Sequence, residues 1–316
     1  MAAGVTLTGP TVAGPGPGPV PGTGPDGRRL AAVARAVVRW GSANRRDLPW
    51  RATRDPWLVL VSEVMLQQTQ ADRVVGPYRR FVDRFPTAAA CAAAGPAEVV
   101  RAWDGLGYNR RAVFLHRAAA AVVERHDGRI PADLDALLAL PGIGAYTARA
   151  VLVFAFEADV GVVDTNVARL LARAVAGRPL RPAEAQELAD RLVPTGRSWE
   201  LNQSLFDLGA RHCRSRRPDC AGCPLDRRCA WAATGWATPD PAVGSAATSR
   251  PQSRFQGSDR QGRGRLVAAL RRDPVAADRL AAAAGWPDDP ARSALVADAL
   301  VADGLARWSG GRLHLA

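Results

Sequence analysis

The chain has 316 residues, 47% of them hydrophobic and 23% charged, enough for two or three domains that each bury a core. Its formal charge of +12 and pI near 10.9 point to a polyanionic partner, nucleic acid ahead of an anionic membrane. All of the positive charge is arginine; the absence of lysine excludes lysine Schiff-base chemistry, and no apolar run reaches the roughly 18 residues of a membrane span.

Residues 1–27 are mostly Gly, Pro, Thr and Ala without a basic n-region, which predicts a disordered tail rather than a signal peptide. Apolar residues then recur at helical spacing from Arg28 to Trp40. The loop Asn44 to Arg51 carries Arg45, Arg46, Arg51 and Trp50, a pattern that also suits a plain solvated turn. Asp55-Pro56 is a helix start, and the helix Trp57 to Gln68 has Glu63 as its one charged residue. A carboxyl among apolar neighbours is held protonated nearer to neutrality and can act as a general acid; a core Glu neutralised by an arginine is the equal alternative.

Further helices are expected at 72–84, 86–93, 96–103, 110–125 and 132–139, with almost no strand signal. Trp103-Asp-Gly-Leu-Gly-Tyr108 places an aromatic residue on a tight turn between two of them. In Leu140-Pro-Gly-Ile-Gly-Ala-Tyr-Thr-Ala148, Gly142 and Gly144 permit a sharp turn into a helix whose first amides suit a phosphate oxygen, although such a turn can also merely join two helices. Asp164 stands where the helix 166–176 needs an N-cap, and capping bonds are expected to keep it ionised. An ionised Asp164 beside a protonated Glu63 is the pattern of glycosidic-bond chemistry.

Helices at 182–193 and 198–211 lead to Cys213, Cys220, Cys223 and Cys229, while Cys91 stands alone. That clustering indicates a metal centre in a reducing cytoplasm, with zinc and an iron-sulfur cluster equally compatible on spacing. The arginines among these cysteines suggest a phosphate-contacting surface as well. Residues 233–258 read as a linker. Residues 259–316 predict helices at 259–272, 275–285 and 290–302, then a two-stranded hairpin with a Gly-Gly turn, together a winged-helix-like module. With nine Arg against seven Asp it is barely basic, so packing or protein binding suits it as well as DNA binding.

Six stretches in this order resemble the helix-hairpin-helix DNA glycosylases that carry a 4Fe-4S cluster, and in particular the MutY-type adenine glycosylases. They are LPWR at 48–51, SEVMLQQTQ at 62–70, GLGY at 105–108, LPGIGAYTA at 140–148, DTNVAR at 164–169 and the cysteine spacing. The resemblance covers residues 28–232. It implies an all-α fold of a six-helix barrel over 53–163 and a cluster domain made of 28–52 and 164–232, with the 4Fe-4S cluster on Cys213, Cys220, Cys223 and Cys229.

The implied reaction is excision of adenine opposite 8-oxoguanine or guanine in double-stranded DNA, with the base flipped out of the duplex. Glu63 would protonate the adenine and Asp164 would stabilise the sugar cation. Arg46, Trp50 and Arg51 would line the adenine pocket, with Asp207 where the family usually has Glu. Gln68 and Tyr108 would wedge into the vacated stack, and Leu140, Gly142, Ile143, Gly144 and Thr147 form the hairpin that holds the strand. Tyr146 stands where endonuclease III-type enzymes that also cut the backbone carry a lysine, which implies a monofunctional glycosylase.

Asn109 and Thr165 depart from common family residues, and residues 259–316 do not look like the longer domain with which typical members read 8-oxoguanine. A thymine or uracil glycosylase and a non-catalytic DNA-binding relative are the competing readings; Glu63 and Asp164 together favour adenine excision. The protein is expected to be monomeric, to bind no membrane, and to act at the nucleoid in a bacterial cytoplasm.

Overall fold

The computed structural model describes residues 25–245 and 254–316. Helix α1 (Pro25–Asn44) starts three residues before the expected Arg28, helped by a proline in its first turn and by Asp26 at the positive end of the helix dipole. Residues 25–27 are therefore helical rather than tail, and the rest of the expected tail lies outside the described residues. A stripe of Leu30, Val33, Ala34, Val37 and Val38 is buried along α1.

A single turn, Pro49–Arg51, precedes α2 (Pro56–Leu66), whose start is capped by Asp55 accepting from the amides of Trp57 and Leu58. Eight residues of α2 are buried, so this helix runs through the middle of a core. Around it lie α3 (Ala71–Arg84), α4 (Ala88–Ala93), α5 (Pro96–Ala102), α6 (Arg110–His126), α7 (Leu134–Leu138) and α8 (Ala145–Phe156). Helix α4 begins later than its expected position because the Thr87 hydroxyl caps it, accepting from Ala90.

Helix α9 (Thr165–Leu170) continues as a wider π-helical stretch over Leu171–Ala176 and closes at Gly177. Then come α10 (Pro182–Leu192), α11 (Ser198–Arg211) and the short α12 (Ala230–Ala233). Helices α1, α9, α10 and α11 enclose a second core with Leu170, Leu171, Leu201 and Leu205 fully buried.

The C-terminal residues form α13 (Asp259–Leu270), β1 (Val275–Ala276), α14 (Leu280–Ala284), α15 (Pro290–Ala302), β2 (Ala306–Ser309) and β3 (Arg312–Leu315). The expected helix over 275–285 is thus divided. Val275 and Ala276 pair with Leu313 and Arg312, giving an antiparallel sheet in the order β1-β3-β2 where a two-stranded hairpin was expected. A β-branched valine suits a pleated edge, and β3 offers Val275 and Ala276 a strand to pair with. This winged-helix-like module does not stand apart: Leu266, Leu270, Leu280, Leu300 and Leu313 belong to one continuous core with α2 to α8.

Of the stretch read as a linker, residues 246–253 lie outside the described residues. Residues 234–245 pack against the second core: Asp240 pairs with the guanidinium of Arg173, and the Leu180 amide donates to the Ser245 hydroxyl at 3.1 Å.

Candidate active site

Glu63 lies in the buried middle of α2, 3% exposed. The Tyr146 hydroxyl, from the first turn of α8, donates to its Oε2 at 3.1 Å. Burial is the largest influence on Glu63 and raises its pKa from 4.5 to about 7; the tyrosine bond and Arg51 oppose this, and the neighbouring negative charge of Asp164 adds to it. The Tyr146 hydroxyl is itself pushed well above its ordinary value by burial and by the two carboxyls, so it stays a neutral donor.

Asp164 caps α9, its Oδ1 accepting from the Val167 amide at 2.7 Å and its Oδ2 from the Asn166 side chain at 3.1 Å. The sequence leads one to expect those bonds to depress its pKa. The structure reverses that direction: burial outweighs the capping bonds and raises Asp164 above its ordinary 3.8. The approach to Asp164 is fixed by Asn202, which accepts from Val162 at 2.8 Å and donates to Val160 at 3.0 Å. Gly161 lies so close to α10 that a Cβ there would meet the Ala189 backbone at 2.6 Å.

Arg46 and Arg51 meet at Asp207 on α11. Asp207 accepts from the Arg46 amide at 3.0 Å and Nε at 2.8 Å, and from both terminal nitrogens of Arg51 at 2.7 and 3.1 Å. Burial alone would raise Asp207, but these bonds and the Arg51 charge hold it below the usual carboxylate range. Arg51 is thereby fixed beside Glu63, and its Nε is buried with no partner among the described residues. Trp50 is buried and stands edge-on to Tyr78, within the core rather than on an open surface.

The two wedge candidates are exposed, and both have left-handed backbones, Gln68 at φ 55° and Tyr108 at φ 44°. Each conformation costs roughly 1 kcal/mol or more outside glycine and has to be imposed by neighbours. Arg111, on α6, imposes both. It donates to the carbonyls of Val64, Met65 and Gln67 at 2.6–2.9 Å, to the Thr69 hydroxyl at 3.1 Å, and to Gly107 and Tyr108 at 3.3 and 3.4 Å. Reading the sequence does not single out Arg111, because nothing local distinguishes it among so many arginines.

At the hairpin, Leu140, Ile143 and Thr147 bury their side chains, and the Thr147 hydroxyl accepts from Gln67 at 3.2 Å. What this turn offers outward is backbone. Gly142 has φ 76°, and a Cβ on it would strike Phe114 at 2.6 Å. Gly144, at the start of α8, has nothing within 4 Å of a notional Cβ, leaving open space before the first amides of the helix.

Cys213, Cys220, Cys223 and Cys229 are free thiols around one cavity, walled by Leu170, Ala174, Leu225 and Trp231. Four thiols lining one cavity are a donor set of the kind an iron-sulfur cluster takes, and among the described residues no group of three or more His, Cys, Asp or Glu side chains is arranged to hold a single metal ion. Two arginines missed in the sequence hold this region. Arg173 donates to the Arg214 carbonyl at 2.7 Å and lies 3.6 Å from the Cys213 sulfur. Arg169 donates to the Cys213 carbonyl and, at 2.7 Å, to Asn166, which in turn donates to Asp164. The "DTNVAR" stretch contained this link in plain sight.

Residues 61–195 match the family described as "HhH-GPD superfamily base excision DNA repair protein". The adenine DNA glycosylase of Mycolicibacterium smegmatis is 44% identical over 285 residues, covering 89% of this chain and 94% of that protein. Residues 1–245 alone could not supply that share, so the likeness extends into the C-terminal module. The Mycobacterium tuberculosis (H37Rv) adenine DNA glycosylase is 41% identical over 88% of this chain and 92% of its own length. Among solved structures, a thermostable thymine-DNA glycosylase superposes with a TM-score of 0.61 at 29% identity, covering 66% of this chain and 98% of that one. The chain belongs to the HhH-GPD superfamily of base-excision DNA repair proteins and, within it, to the adenine DNA glycosylase family.

Proposed function

We propose that this protein is a monofunctional adenine DNA glycosylase that removes adenine opposite 8-oxoguanine or guanine. The observation that carries the reading is the buried carboxyl of Glu63, raised to about 7, hydrogen-bonded to Tyr146 and beside Asp164. Protonated at working pH, Glu63 delivers a proton to a ring nitrogen of the flipped adenine and makes the base a better leaving group. Asp164 stabilises the developing oxocarbenium ion, and water completes the hydrolysis. The orphaned Nε of Arg51 supplies a donor suited to a purine ring nitrogen. Tyr146 cannot form an imine, and the chain has no lysine that could, so strand cleavage does not follow base release.

The open space at Gly144 admits a phosphate to the first amides of α8, while Gln68 and Tyr108 enter the duplex. Cys213, Cys220, Cys223 and Cys229 hold a 4Fe-4S cluster, which ties the loop between them into a rigid surface carrying Arg214, Arg216, Arg217, Arg227 and Arg228 against the backbone. The protein acts as a monomer in a reducing cytoplasm. Among the described residues no helix is long and apolar enough to cross a membrane.

The test is incubation with duplexes containing A opposite 8-oxoguanine, A opposite G, T opposite G or U opposite G, followed by alkali. Breaks at adenine alone, and only after alkali, are expected. Breaks at T or U would move the protein to the mismatch pyrimidine glycosylases, and breaks without alkali would overturn the monofunctional assignment.

A further inference from the structure

The loop from Trp103 to Asn109 carries Tyr108, and within it the Trp103 indole donates to the Gly107 carbonyl at 3.3 Å. Gly105, Gly107 and Tyr108 all lie in the left-handed region, and Gly105 and Gly107 are exposed. Arg111 grips the loop from within the barrel. Arg73 of α3 reaches the Gly105 carbonyl at 3.4 Å, and another arginine grips the loop from the C-terminal module. Arg271, at the end of α13, has only 14% of its side chain exposed and spreads its three donor nitrogens over this loop and the helix leading into it. Its Nε donates to the Val100 carbonyl at 3.1 Å, one terminal nitrogen to Asp104 at 2.6 Å, and the other to the Asn109 side chain at 2.8 Å. The loop is therefore clasped at both ends by one rigid planar fork, a geometry that lysine could not reproduce. Strand β3 also touches α5, which feeds directly into the loop, and the module shares its core with the barrel, so the fork has a firm base.

We propose that Arg271 is a positioning residue through which the C-terminal module holds the 103–109 loop, and with it Tyr108, in the conformation that enters the duplex. The module then contributes to base extrusion through the barrel and has no need to touch DNA itself. Asn109 is the loop's receptor for this clasp. This inference rests on the glycosylase reading above, because it assigns the clasp to the extrusion step that precedes base release.

The experiment compares full-length wild type with R271M, which keeps the apolar stem but removes every donor. A D104A/N109A double variant removes two acceptors from the loop side and leaves the module untouched. Single-turnover adenine release is measured on a duplex with adenine opposite 8-oxoguanine and on one with adenine opposite an abasic-site analogue, where little extrusion is needed. Both variants should slow release from the paired duplex on the order of ten- to a hundredfold, and release from the abasic duplex by less than about threefold. Replacing the target adenine by 2-aminopurine reads extrusion without base release: fluorescence should rise with wild type and rise far less with the variants.

Equal slowing on the two duplexes would mean a merely structural role and overturn the proposal, as would unchanged release from the paired duplex. If R271M does not fold, the double variant decides by the same criteria. If wild type extrudes 2-aminopurine but releases no adenine, the glycosylase reading fails while the fluorescence comparison still judges the clasp; if wild type does neither, both fall.

Discussion

Glu63 is the residue on which the chemistry turns, and its environment makes two measurable demands. Base release requires its protonated form, so single-turnover rates should fall as pH rises through about 7. E63Q should lose on the order of a hundredfold or more in rate while binding duplex DNA as tightly as wild type; unchanged turnover would sink the assigned role. The same burial sets a stability relation of definite sign. The folded state holds the proton to about 7 whereas the unfolded chain releases it near 4.5, so the associated stability is complete below pH 4.5 and lost as pH rises through 7. Glutamine keeps a neutral side chain at every pH. E63Q should therefore be more stable than wild type by roughly 3 kcal/mol at pH 8 and nearly equal to it at pH 4, a comparison that denaturant titrations at the two pH values would make. Equal stability at pH 8 would show that Glu63 is not buried as described.

Two helices meet at the wedge, and an arginine joins them. Val64 and Met65 lie in the last turn of α2, where carbonyls have no partner within the helix. Arg111 of α6 supplies their donors, then reaches Gln67 and the turn before Tyr108. Burial lowers the pKa of this guanidinium to about 10, still far above neutrality, so it remains charged in its role. R111M should leave these acceptors unsatisfied and destabilise the protein by about 3 kcal/mol or more, measured by urea unfolding. It should also release both left-handed turns, because this one guanidinium bonds to the two of them together. A loss below 1 kcal/mol, within the range of one exposed hydrogen bond, would contradict the brace.

The molecule as a whole has two cores, and the C-terminal module belongs to the first. Deleting residues 254–316 would uncover the apolar surface that Leu266, Leu270, Leu300 and Leu313 now cover. The truncated protein should melt at lower temperature and self-associate, as light scattering would show; an equally stable monomer would mean the module is dispensable for the fold. Covering that face is a function which composition left undecided, since nine Arg against seven Asp is neither a DNA-binding surface nor an inert one.

Much of this protein follows from local order in the chain. The apolar neighbours of Glu63 within one helix ensure that it is buried, Asp55 and Asp164 precede their helices as caps, and the left-handed turn at Gly142 follows from the glycine. These features depend on residues a few positions apart, which the helical period brings together. Tertiary packing decided the rest. Asp164 is raised rather than lowered because its surroundings, from other elements, outweigh its own capping bonds. Val275 joins a sheet because β3, 37 residues later, offers it an edge. Arg111, Arg169, Arg173 and Arg271 gain their roles from acceptors as much as 171 residues away. A sequence pattern records a side chain's charge and period but not the distant carbonyl or carboxylate that will face it, so among 42 arginines only the folded structure selects the few that hold the site together.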